Sequence, residues 1–206
     1  MSAVFPALLA LSSVMPSTTV EPDDQAGAVG FHVFRRDETY LVDVPTRAAL
    51  LRVLEGLRHE QGWIGLTKLS YEQRVDLVPG AGGCRLEGLR TTLDAVVTMP
   101  KRSDAEAPRS KAVDRAWGPL AENLRAHEEG HVALAIQEAR ASYERLAAAG
   151  PFDDCRAARR ALLVESFRLR QRQTFIHDRY DRVTRFGTRQ WAWRNQTGER
   201  PASPKQ

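Results

Sequence analysis

The sequence is poor in cysteine, in long apolar runs and in positive charge at its start, and each scarcity excludes something. Cys84 and Cys155 are the only two cysteines in 206 residues. Neither sits in a CxxC pair, which argues against a thiolate zinc site. A cysteine pair in an exported protein is a natural disulfide, whereas in the cytosol it is usually two unrelated thiols. No apolar run approaches the roughly 20 residues that span a bilayer. No Lys or Arg precedes Arg35. The stretch Ala7-Leu8-Leu9-Ala10-Leu11, followed by small residues and Glu21-Pro22-Asp23-Asp24, therefore resembles an export signal without its positive n-region. Residues 1–27 read either as such a signal with a linker or as a disordered leader.

What remains is ordinary for a soluble globular chain: 42% hydrophobic and 27% charged residues. The length allows one domain with a proper core, placed at residues 28–195. A net charge of +4 permits acidic partners without requiring one. Phe31 to Phe34 and Tyr40 to Val44 read as β segments joined by a turn at Arg36-Asp37-Glu38. Thr46 is a helix N-cap, and Leu50, Leu51, Leu54 and Leu57 follow at helical spacing up to His59. Thr67, Leu69, Tyr71, Gln73, Val75 and Leu77 alternate, as do Leu93, Ala95 and Val97. Pro79-Gly80-Ala81-Gly82-Gly83 is a strong turn signal between them, so an antiparallel hairpin is expected.

The second half is helical. One helix is expected from about Lys111 to Ala149, stopped by Gly150-Pro151. Asp153 or Asp154 then caps another that runs to about Tyr180. The polar tail 196–206, with two prolines, reads as disordered. The order of elements gives an α+β domain: an N-terminal antiparallel sheet with one helix, then two long C-terminal helices.

The chemistry lies on the first long helix, at His127-Glu128-Glu129-Gly130-His131. Four-residue spacing puts both imidazoles on one helix face, one turn apart, where they can share a metal ion. Leu120, Leu124 and Leu134 lie on the same stripe, so the pair faces inward. In a zincin-like HExxH site of this kind Glu128 is not a ligand but the general base, and zinc lowers the pKa of a bound water. A catalytic zinc also needs a third protein ligand. His177 and Asp181, one turn apart near the end of the last helix, are the candidates if that helix packs antiparallel. Glu138, nearly two turns from His131 on the same helix, is too far away. His32 and His59 are isolated and read as structural or surface residues.

HExxH, followed about fifty residues later by Tyr180-Asp181-Arg182-Val183-Thr184-Arg185-Phe186-Gly187, resembles a bacterial family of unknown function described as secreted zinc-dependent proteases. That family pairs HExxH with a distal Tyr-Asp-x-x-Thr-x-His-Gly. The regions around Cys84, Trp117 and Cys155 also look similar, and the likeness covers roughly Thr39 to Gln190. The resemblance implies export, a Cys84–Cys155 disulfide and a metallopeptidase-like site. The chain departs from the pattern where Phe186 replaces the His. Asp181, which belongs to the shared motif, is taken as the third ligand, with His177 as the alternative and Phe186 as an apolar wall. Tyr180 is a candidate oxyanion stabiliser through its place in the motif.

Eleven arginines and three acids lie between Arg156 and Arg194, interleaved with Phe167, Phe175, Tyr180, Trp191 and Trp193. Such a pattern can bind single-stranded nucleic acid, but without a recognised module it reads as a solvated face with its aromatics in the core, and no specific nucleic-acid partner is expected. The sequence thus points to an extracytoplasmic zinc (Zn2+) metallohydrolase acting on a peptide or protein, with His127, His131 and Asp181 on the metal and Glu128 as base. The alternative is a degenerate metal-binding or interaction protein of the same fold.

Overall fold

Every second side chain from Leu89 to Met99 is buried, the mark of a strand covered on one face. A computed structural model, which describes residues 29–44, 46–60, 62–103 and 111–189, arranges the chain as β1 (Gly30–Val42), α1 (Arg47–Glu60), β2 (Leu66–Gly80), β3 (Gly83–Arg102), α2 (Lys111–Ala147) and α3 (Cys155–Thr184). The leader at 1–27, the tail at 196–206, the outer limits of the 28–195 domain, and Trp191 and Trp193 lie outside the described residues. Over the described residues this is an α+β fold, a three-stranded sheet with three helices. Among the described residues, no helix is long and apolar enough to cross a membrane.

The strands lie in the order β1-β3-β2. β2 and β3 form the expected antiparallel hairpin, in which Thr67, Leu69, Tyr71 and Gln73 stand opposite Val97, Ala95, Leu93 and Thr91. A bulge between Arg74 and Asp76 shifts the register, while the alternation of burial runs on through Val75 and Leu77. Two expectations fail in β1. It is one unbroken strand, with no turn at Arg36-Asp37-Glu38, because these charged residues sit on an edge strand whose solvent side tolerates them. It also runs parallel to β3, with Gly30 opposite Arg90 and Val42 opposite Arg102, so the sheet is mixed. The long connection through α1 and β2 supplies the crossover that a parallel pair needs.

α1 begins as expected, with the Ala49 N–H donating to Thr46 Oγ1 at 3.1 Å. Its Leu50 packs with Val44 and with Val113 at the start of α2. α2 lies on the sheet through Leu124 and Val132, which meet Ala95, Val97 and Met99. At the start of α3 the Asp154 side chain accepts from the Ala157 N–H at 2.6 Å. At its end Arg185 adopts the left-handed conformation and its N–H bonds Asp181 O. That cap comes later than Tyr180, so Asp181 stands within the last turn of α3.

α3 packs antiparallel to α2. Gln173 bonds Ala135 O, Arg172 pairs with Glu138, and Arg145 pairs with Glu165. The start of α3 is fastened to β3 by the Cys84–Cys155 disulfide, whose Cα atoms are 5.0 Å apart. Beside it Cys84 and Phe152 exchange backbone hydrogen bonds of 2.8 and 2.9 Å. With one end of α3 anchored, its far end is carried to the histidines of α2.

Candidate metal centre

The buried face of α2 carries His127 and His131, and the last turn of α3 brings Asp181 against both. Asp181 Oδ1 lies 3.0 Å from His127 Nε2 and 2.9 Å from His131 Nε2. The two Nε2 atoms are 3.3 Å apart. A tetrahedral zinc with bonds of about 2.0–2.1 Å spaces its ligand atoms roughly 3.3 Å from one another. Two nitrogens and one carboxylate oxygen therefore form a triangle of the size and chemistry that such an ion fits. Among the described residues, these three are the group of His, Cys, Asp and Glu able to hold a metal.

The rest of the distal segment cradles the histidines. The Tyr180 ring stacks on His127 with centroids 5.0 Å apart and planes 7° from parallel, and meets His131 edge-on at 4.9 Å. Its hydroxyl donates to His127 O at 3.2 Å. Tyr180 is only 1% exposed, beneath the imidazoles, so the oxyanion role suggested by its motif is not open to it. Gly130 makes that burial possible: a Cβ there would lie 1.9 Å from Tyr180 Oη. Thr184 Oγ1 is 3.2 Å from His127 Nδ1. Gly187, at φ +83, covers His127 so closely that a Cβ would stand 3.0 Å from His127 Cβ.

His177 does not join the triangle. It sits behind His131, with the two Nδ1 atoms 2.8 Å apart, while its own Nε2 lies 2.7 Å from Gln173 Oε1. Burial, then the neighbouring His131, lowers its pKa to about 4. Burial by itself would raise the Asp181 pKa, but the His127 and His131 hydrogen bonds outweigh it and hold the carboxyl well below its usual range. Glu138, too distant on the sequence reading, is occupied by Arg172 at 2.6 Å.

Glu128 is buried beside the triangle. Its Oε2 accepts from Thr67 Oγ1 at 2.7 Å, and its Oε1 lies against Gly65. Burial pushes its pKa up, against the opposing pull of the Thr67 hydrogen bond and the histidines. Glu129, next in sequence, points elsewhere and is gripped by Arg35 of β1 through bonds of 2.7 and 2.6 Å. A fork of this kind fixes the side chain in direction as well as in charge.

His127, Glu128, His131 and Asp181 line a cleft of about 650 Å³. Its walls are largely apolar, with Trp63, Ile64, Leu120 and Leu124 alongside the site. Phe186 forms part of the same wall. It is 60% exposed and sits at φ 52, a conformation uncommon for a bulky residue. In the sequence Thr67 is only an alternating strand residue, and Gln173 stands in no motif. The signal for Gln173 was its four-residue spacing to His177, which places both on one face of α3.

The basic stretch is partly consumed by structure. Arg172 is paired with the buried Glu138, and Arg168 lies 3.9 Å from the buried Glu165. Phe167 and Phe175 are exposed rather than packed in the core, contrary to the sequence reading, while Tyr180 is buried.

Neither a curated protein nor a solved structure matches the chain. Residues 37–187 match the model of a family described as bacterial protein of unknown function (DUF922), and that span includes both histidines, Glu128 and the whole distal segment. With most of its length covered from β1 to the residue that closes over His127, the chain belongs to this family.

Proposed function

We propose that the protein is a zinc-dependent hydrolase of the zincin-like HExxH type, acting on a peptide or protein substrate. The observation that carries this reading is the convergence of His127 Nε2, His131 Nε2 and Asp181 Oδ1 within 3.3 Å of one another on the wall of a cleft that also presents Glu128. Zinc held there would supply a Lewis acid that brings the pKa of a water towards neutrality. Glu128 takes the proton of the attacking water on its carboxylate and hands it to the leaving amine. Its raised pKa suits this work, because a carboxyl held closer to the working pH both accepts and returns a proton readily. Thr67 keeps the carboxylate turned to the cleft. The apolar walls exclude water and suit side chains of a peptide better than a highly charged substrate. The disulfide favours an oxidising, extracytoplasmic setting.

The test is hydrolysis of a mixed peptide library by the zinc-loaded protein beside Glu128→Ala. The variant should keep its metal and lose about 10²–10⁴-fold in rate. Equal hydrolysis by both proteins would remove Glu128 from the chemistry.

A further inference from the structure

The hydrogen bonds behind the two histidines have a direction, and that direction is set from outside the triangle. Gln173 Nε2 donates to Ala135 O at 3.2 Å. A backbone carbonyl can only accept, so the amide is fixed with Oε1 turned to His177. His177 Nε2, 2.7 Å away, must then carry a hydrogen and donate it. In a neutral imidazole the other nitrogen is an acceptor, so His177 Nδ1 accepts from His131 Nδ1 across 2.8 Å. On the second histidine, Thr184 Oγ1 donates its single hydrogen to Tyr180 O at 2.8 Å. It can only accept from His127 Nδ1 at 3.2 Å.

We infer that Gln173 and His177 on one side, and Thr184 on the other, are positioning residues that place the ring hydrogens of His131 and His127 on Nδ1 and leave both Nε2 lone pairs aimed at the metal. The inference rests on the zinc reading and adds to it the residues that hold the ring hydrogens on Nδ1 once zinc replaces the Nε2–H bonds to Asp181. Both relays come from α3, so the helix that delivers Asp181 also fixes the tautomers of the other two ligands. Partners behind metal-binding histidines orient the ring and raise its basicity. Here a second imidazole backed by a side-chain amide fills that place for His131.

Zinc affinity is measured by competition with a chromophoric chelator, and ring N–H signals of the zinc-loaded protein are followed by NMR. His177→Phe, Gln173→Leu and Thr184→Val should each weaken zinc binding by about 10–100-fold. Thr184→Ser, which keeps the hydroxyl, should bind as the natural protein does. The His131 Nδ1–H signal should exchange slowly in the natural protein and be lost in His177→Phe while that of His127 persists, and the reverse should hold in Thr184→Val. A merely structural role would disturb both signals together. Should His177→Phe fail to fold, the Thr184→Val and Thr184→Ser comparison decides the His127 half and Gln173→Leu the His131 half. A natural protein that binds zinc tightly, with Thr184→Val and Gln173→Leu equally tight, would overturn the inference alone. A natural protein that binds no zinc would overturn it together with the zinc reading.

Discussion

Gly130→Ala is a change whose sign depends on the site and not on the helix. In a helix interior, alanine is favoured over glycine by about 1 kcal/mol, so on propensity alone the variant should be more stable. The structure reverses that. The new Cβ would meet Tyr180 Oη at 1.9 Å and Cζ at 2.4 Å. Ordinary contact begins near 3.5 Å, so the ring would have to retreat by about 1.5 Å. It has nowhere to go, being buried and wedged against both imidazoles. Overpacking of this kind costs about 1–3 kcal/mol, and the Tyr180 hydrogen bond to His127 O is worth about 1 kcal/mol more. After the propensity gain, a net loss of about 1–3 kcal/mol remains, which lowers Tm by roughly 2–12 °C for a chain of this size. Because Asp181 follows Tyr180 directly, the retreat would also pull its carboxylate from the histidines, and zinc affinity should fall at least about tenfold. Thermal unfolding with and without zinc, beside the chelator titration, measures both effects. A variant about 1 kcal/mol more stable than the natural protein, with unchanged zinc affinity, would refute the claim that this glycine seats α3 on the site.

Two further outcomes are expected. Replacing Cys84 and Cys155 together by alanine opens a loop of 71 residues and should cost about 4 kcal/mol in the chain-entropy model, read by urea denaturation; a loss near zero would mean that α3 is held by packing alone. Phe186→His should leave zinc affinity nearly unchanged, since Asp181 already completes the triangle and position 186 forms wall; a steep gain in affinity would instead make the family histidine the missing ligand.

The helical half was largely legible because its signals are local. The caps at Thr46 and Asp154, the stop after α2 and the four-residue spacing of His127 and His131 are written in neighbouring residues. Antiparallel packing of the last helix offers both His177 and Asp181, and only the resemblance chooses Asp181, since a contact between residues 50 apart in sequence leaves no spacing rule to read. β1 was misread for a related reason. Whether Arg35 to Glu38 form a turn or an edge strand depends on a parallel partner about 60 residues away, and the bidentate grip of Arg35 on Glu129 exists only once α2 lies across the sheet. Tyr180 looks chemical only through its place in the motif. Gly130, which makes room for it, shows why it is a buried prop: the pocket for its hydroxyl is a missing side chain on another helix.

The central claim is that His127, His131 and Asp181 form one zinc site, and metal titration of the purified natural protein beside Asp181→Ala and Glu128→Ala tests it most directly. The account predicts about one zinc per chain, as for a single catalytic-type site, in the natural protein and in Glu128→Ala, with stoichiometric binding lost in Asp181→Ala. A natural protein that takes up no zinc, or an Asp181→Ala variant that binds it as tightly as the natural chain, would contradict it.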